Sequence, residues 1–195
     1  MKKYIIFDLD WTLIDSHNNI KEIIYDYFRL NDNDVFEKVR YNLDFNKVSS
    51  LKDLLISVYW SSCENIDEKL EKLYRYLDEK NHESEFISWT IEKIIKLKNN
   101  YKLYLSTWSS TKFANEILKK WWIQELFEII QWSDKIAKSE YHLELFKEHS
   151  NDEYFYENAY SIWDSEKDKY FAELKWIDFI KIWEKYKSIE EIKEI

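Results

Sequence analysis

Tyr4-Ile5-Ile6-Phe7 is a continuous apolar run that stops at Asp8-Leu9-Asp10, the pattern of a short strand buried on both faces of a parallel sheet. From about Asn19 to Lys80 no second run of this kind occurs. Apolar residues recur there at helical spacing instead: Ile20, Ile23, Ile24, Tyr27 and Phe28 fall on one face, as do Leu51, Leu54, Leu55 and Val58, then Leu70, Leu73 and Leu77. After Phe86 the pattern alternates. It predicts a helix from about Thr90 to Leu97, a strand at Leu103-Tyr104-Leu105, a helix from Lys112 to Lys120 and a strand at Phe127-Glu128-Ile129-Ile130. A helix from about Glu140 to Glu148, a strand at Ala159-Tyr160-Ser161-Ile162, a helix at about 166–175 and a strand at Phe179-Ile180-Lys181-Ile182 complete the series. Strands alternating with helices of about ten residues predict βαβ units and an α/β fold with a parallel sheet. The helical block is then an insertion after the first strand, which divides the chain into a core of residues 1–15 and 85–195 and a helical subdomain of residues 16–84.

Composition adds an anomaly. The 195 residues contain no glycine, no proline and ten tryptophans, where average usage predicts roughly fourteen Gly and ten Pro. Lysine outnumbers arginine 26 to 3, and isoleucine outnumbers alanine 24 to 4, as expected of an AT-rich gene. That bias accounts for the missing proline but not for the tryptophans. The net charge of −9 argues against a nucleic-acid or anionic-membrane partner. Cys63 is the single cysteine, so no internal disulfide forms and a reducing compartment is expected. No stretch reaches the roughly 18 apolar residues of a membrane span. Asp8 and Asp10 interrupt the only signal-like N-terminal run. The expected location is the cytoplasm.

The acidic residues supply the candidate chemistry. Asp8 and Asp10 follow the first strand, and Asp164 and Asp168 follow the strand ending at Ile162. Ligands of open α/β sheets bind at this carboxyl end. An Asp at a strand end also serves as a turn former or a helix cap. Two acidic pairs at neighbouring strand ends concentrate charge that a hard divalent cation would neutralise, and Mg²⁺ binds through one or two carboxylates plus substrate phosphate.

The order of the motifs narrows this reading. Asp8-Leu9-Asp10-Trp11-Thr12 resembles the opening motif Asp-x-Asp-Gly-Thr of the haloacid dehalogenase superfamily of phosphohydrolases. Leu103-Tyr104-Leu105-Ser106-Thr107 is similar to its second motif, Lys138 before a helix to its third, and Trp163-Asp164-Ser165-Glu166-Lys167-Asp168 to its fourth, Gly-Asp-x-x-x-Asp. The resemblance spans nearly the whole chain and falls in the phosphoglycolate phosphatase and β-phosphoglucomutase-like branch. It implies a Rossmann-like three-layer αβα core with a helical cap over residues 16–84. It also implies Asp8 as nucleophile through an aspartyl-phosphate, Asp10 as general acid and base, and Thr107 and Lys138 as phosphate ligands, Ser106 being the alternative to Thr107. Mg²⁺ would be held by Asp8, the backbone carbonyl of Asp10, Asp164 and Asp168. The implied activity is hydrolysis of a small phosphorylated metabolite; a sugar-phosphate mutase and a phospholigand-binding module without turnover are the alternatives. The presence of Asp10 favours phosphate esters over haloacids. In the cap, Lys21, Arg29, Arg40, Lys47 and Lys52 are within reach of a substrate anion or else lie on solvated helix faces. His17, His82, His142 and His149 have no metal-ligand spacing and are expected at the surface.

Against these motifs the tryptophans fall into order. Trp11 and Trp163 stand where the family motifs have glycine, and Trp108 stands where a small turn residue is common. Trp122 and Trp176 each precede an Ile at a predicted helix end, where glycine is preferred. Trp89, Trp132 and Trp183 lie in loops or at element ends, whereas Trp60 and Trp121 are less diagnostic. These positions suggest a gene in which UGA encodes glycine, translated as though it encoded tryptophan. A tryptophan-rich core or aromatic surface is the alternative.

Overall fold

The computed structural model describes residues 2–45, 47–48, 51–59, 65–80, 84–107, 109, 111–132, 140–182, 186 and 188–193. The chain divides into two compact units, one of Met1–Ser16 with Ser84–Ile195 and the other of His17–Glu83.

The first unit is built on five parallel strands: β1 (Tyr4–Phe7), β2 (Lys102–Ser106), β3 (Phe127–Gln131), β4 (Ala159–Trp163) and β5 (Asp178–Lys181), in the order β3-β2-β1-β4-β5. The apolar run at residues 4–7 becomes the central strand because both of its faces are covered. Its alternate side chains enter two separate cores, as the two-residue period of a strand requires. Ile5 and Phe7 join one with Leu103, Leu105 and Ile162; Tyr4 and Ile6 join the other with Tyr104, Ala159 and Trp163. The first core is closed by Ile94 and Leu97 from a helix at Thr90–Lys98 and by Phe113, Ile117 and Leu118 from a helix at Thr111–Lys120. Leu143 and Phe146 from a helix at Glu140–Ser150, with Ala172 from one at Glu166–Leu174, close the second. The result is a three-layer αβα sandwich. Burying each such Leu, Ile or Phe contributes about 1.5–3 kcal/mol.

The second unit is entirely helical in its described residues. α1 (His17–Asn31), α3 (Leu51–Tyr59) and α4 (Ile66–Lys80) bury the predicted faces, with Ile23, Ile24, Phe28, Leu54, Leu55, Val58, Leu73 and Leu77 forming their own core, to which α2 (Phe36–Asp44), a helix the pattern does not single out, adds Phe36 and Val39. The helices of the first unit follow as α5 (Thr90–Lys98), α6 (Thr111–Lys120), α7 (Glu140–Ser150) and α8 (Glu166–Leu174). Four of the cations considered above are engaged inside the helical unit: Lys21 pairs with Asp44 at 2.6 Å, Arg29 with Asp26 at 3.3 Å, Arg40 with Glu37 at 3.0 Å and Lys52 with Asp67 at 2.9 Å. These pairs fit the solvated-face reading.

Among the described residues, positive φ occurs at Trp11, Trp89, Trp122, Asn151 and Trp176. For an L-residue with a Cβ, left-handed backbone costs about 1–2 kcal/mol, which is why Gly and then Asn are the residues usually found there. Only one of these five positions carries a residue suited to it.

Candidate active site

The strand order reverses direction at β1: the chain moves outward through β2 and β3, then returns to add β4 on the other side of β1. Open α/β sheets bind their ligands outside the carboxyl ends of the strands at this reversal. Phe7 pairs with Ile162 and with Leu105, and the Asp8 N–H continues the ladder by donating to the Ile162 carbonyl at 3.2 Å. The residues that follow β1, β2 and β4 therefore leave the sheet side by side.

Here the predicted acidic residues separate into two groups. One carboxylate oxygen from each of Asp8, Asp164 and Asp168 lies within 4.8 Å of the others. Asp8 is 4% exposed and Asp168 1%. Pairs of unit charges at such separations repel by about 3–4 kcal/mol at an effective dielectric near 20, and burial adds a desolvation cost. The donor set is all hard oxygen, which fits Mg²⁺ and not a soft metal. Asp168 is held by local structure: Ser165 caps α8, accepting from the Asp168 N–H at 3.2 Å and donating to Asp168 Oδ2 at 2.8 Å. This reciprocal arrangement at the first turn fixes the carboxylate's direction.

Asp10 stands apart from that trio. Beyond Asp8 the chain turns, with the Leu13 and Ile14 N–H groups both donating to the Leu9 carbonyl and the Trp11 N–H donating to Ile14 at 2.9 Å. Asp10 Oδ2 accepts from the Ser109 hydroxyl, and the Thr107 hydroxyl lies 3.5 Å away. Asp10 Oδ1 is buried without a hydrogen-bond partner, leaving one oxygen of this carboxylate uncommitted. Thr107 itself is buried, accepts from the Ser109 N–H at 3.0 Å and donates its own N–H to the Gln131 carbonyl at 3.0 Å. Thr107 is thus placed beside Asp10 just past the end of β2. Lys138, the expected second phosphate ligand, lies outside the described residues, as does Trp108.

One expectation is corrected at the site, and one residue is added to it. His142 is fully buried, not a surface residue: it lies on α7 with Nδ1 2.8 Å from the hydroxyl of Ser106, which is itself buried. Ser106 is therefore engaged with α7, whereas Thr107 and Ser109 are the hydroxyls beside Asp10. His142 shares the inner face of α7 with Leu143 and Phe146, and a histidine next to that apolar pair could have been read as a buried position. Ser109 was missed because a lone serine in a loop carries no periodic signal.

A family profile described as haloacid dehalogenase-like hydrolase matches residues 5–180. No curated protein matches the chain. Among solved structures, the chain is similar to a predicted phosphoglycolate phosphatase from Haemophilus somnus, with 19% identity and a TM-score of 0.71 over 92% of this chain and 84% of that one. YfnB from Bacillus subtilis, bound to magnesium, is similar at 15% identity and a TM-score of 0.64, over 93% and 86% of the two chains. CbbY from Rhodobacter sphaeroides, in complex with phosphate, gives 16% identity and a TM-score of 0.65 over 93% and 86%. At these identities the likeness establishes the Rossmann-like α/β fold. No helix among the described residues is long and apolar enough to cross a membrane.

Proposed function

The chain belongs to the haloacid dehalogenase-like hydrolase family, and from that premise we propose that it is a Mg²⁺-dependent phosphatase of small phosphorylated metabolites, acting through an aspartyl-phosphate on Asp8. The observation that carries this reading is the separation of the aspartates into two settings. Asp8 lies with Asp164 and Asp168 in one buried cluster, whereas Asp10 is turned toward the hydroxyls of Ser109 and Thr107. A phosphomonoesterase needs both roles, a charged nucleophile next to a cation and a separate proton donor for the leaving alcohol.

Asp8, Asp164 and Asp168, with the backbone carbonyl of Asp10, would hold Mg²⁺, which supplies neutralisation of the carboxylates and of charge developing on the phosphoryl oxygens. Asp8 attacks phosphorus, and the bond to the ester oxygen breaks as Asp10 delivers its proton to that oxygen. Water then attacks the aspartyl-phosphate while Asp10 takes up a proton, which returns Asp8 as a carboxylate and releases inorganic phosphate. Thr107 donates to a phosphoryl oxygen, and Lys138 adds a positive charge. In phosphoryl transfer such positioning and charge stabilisation provide most of the rate.

Metal removal tests the proposal directly. Exhaustive chelation is expected to stop release of phosphate from a panel of sugar, glycolyl and aryl phosphates, and added Mg²⁺ to restore it. Phosphate release that persists at an undiminished rate after chelation would overturn the assignment.

A further inference from the structure

Of the four tryptophans with left-handed backbone, Trp89, Trp122 and Trp176 sit in hydrogen-bonded turns at a third or terminal position that ordinarily takes glycine. After α6, the Trp122 N–H donates to the Lys119 carbonyl and the Ile123 N–H to the Leu118 carbonyl, both at 3.1 Å. After α8, the Trp176 N–H donates to Glu173 at 3.1 Å and the Ile177 N–H to Ala172 at 3.0 Å. Both are full Schellman endings, and in both a buried Ile packs back after the left-handed residue. Trp89, with φ 64° and ψ 3°, is the third residue of a turn closed by the Thr90 N–H on the Ile87 carbonyl at 3.0 Å. That is the position at which a type II turn requires Gly or Asn. Trp11 has φ 60° in the loop that carries Asp10.

At Trp89, Trp122 and Trp176 exposure leaves little packing to repay this conformation. Trp122 is 90% exposed, Trp176 85% and Trp89 63%, so three of the four residues combine a disfavoured backbone with exposure of more than half their surface. The fifth left-handed residue, Asn151, ends α7 with its N–H on the Lys147 carbonyl at 3.2 Å and is of the type known to tolerate the conformation. Trp121, Trp132 and Trp163 do not have positive φ, and Trp163 is buried in β4, so the backbone argument rests on four positions. We infer that the natural polypeptide carries glycine at Trp11, Trp89, Trp122 and Trp176, and that the codon written as tryptophan throughout this chain is decoded as glycine.

Intact mass and peptide mapping of the protein isolated from its own source test this. The expected result is a mass lowered by ten Trp-to-Gly exchanges, with no indole fluorescence. Tryptophan found at any of the four left-handed positions overturns it. The chain as written, expressed recombinantly, gives an independent measurement. Because the indoles of Trp122 and Trp176 are exposed, Trp122→Gly and Trp176→Gly remove little buried contact and report on the backbone. Each is expected to raise the denaturation midpoint, whereas Trp122→Ala and Trp176→Ala are not, since alanine also disfavours positive φ. Equal responses to Gly and Ala would overturn the backbone argument.

A separate observation concerns Ser109, the residue whose hydroxyl donates to Asp10 Oδ2 while its N–H donates to Thr107 Oγ1. The geometry points to Ser109 as a positioning residue that holds Asp10 for proton delivery to the leaving oxygen, an inference that rests on the proposed phosphatase reading. Ser109→Ala is expected to lower kcat about ten-fold on alkyl phosphates, the size of one hydrogen bond to a charged group, with KM unchanged. On nitrophenyl phosphate, whose leaving group needs no proton, the loss is expected to be much smaller, and Ser109→Thr is expected to recover the alkyl rate. An equal loss on both ester classes would overturn the positioning role. Failure of the phosphatase reading is distinguishable, because the parent protein would then release no phosphate from either class.

Discussion

Asp8→Asn is expected to lower phosphate release by on the order of 10⁴-fold or more, the scale on which loss of a covalent nucleophile is felt. The substitution is nearly isosteric and keeps the backbone bond from residue 8 to the Ile162 carbonyl, so β1 keeps its place in the sheet. It also removes one of three carboxylates that crowd within 4.8 Å. In metal-free buffer the variant should therefore be at least as stable as the parent, since the repulsion within the cluster falls. Paired measurement of phosphate release and of the denaturation midpoint separates lost chemistry from lost fold. A variant that stays folded and retains the parent rate would remove Asp8 from the mechanism.

Asp10→Asn comes second in size, with an expected loss of about 10²–10⁴-fold, the usual contribution of general acid and base catalysis. An asparagine can still accept the Ser109 and Thr107 hydroxyls through its carbonyl oxygen, so the loop geometry is kept while the proton is lost. With the role proposed for Asp10 at the leaving oxygen, the defect should grow as the leaving alcohol becomes more basic: largest for alkyl phosphates, smaller for aryl phosphates. Rapid-quench measurement with a nitrophenyl ester should show Asp8 still becoming phosphorylated, with the slow step moved to hydrolysis of the aspartyl-phosphate. A loss independent of leaving group, with no accumulated phosphoenzyme, would place Asp10 outside proton transfer.

Asp8 and Asp10, separated only by Leu9, occupy different surroundings. The apolar run at residues 4–7, ending in Asp-Leu-Asp, identified β1 and the end of the sheet that holds the candidate site. The later alternation located the other strands and helices to within a residue or two: the predicted helix from Lys112 to Lys120 is α6 at Thr111–Lys120, and the predicted strand at Ala159–Ile162 is β4 at Ala159–Trp163. Local spacing carries this information because helices and strands impose their own periods on whichever side chains face the core. The resemblance in the motifs then pointed to Asp8, Asp10, Asp164 and Asp168 together.

What spacing could not say is which of these carboxylates meet. That depends on β1 and β4 lying side by side, Phe7 against Ile162, across most of the length of the chain. It depends also on the chain turning after Asp8, which takes Asp10 out of the strand and toward Ser109. The burial of His142 against Ser106 and the positive φ at Trp11, Trp89, Trp122 and Trp176 were likewise settled only in the folded chain. The sequence by itself determined the elements, the end of the sheet at which the candidate carboxylates lie and the oddity of a chain with ten tryptophans and no glycine. The tertiary structure decided the partners and the backbone signs, because strand register and turn handedness arise from contacts between residues far apart in sequence, which no local period encodes.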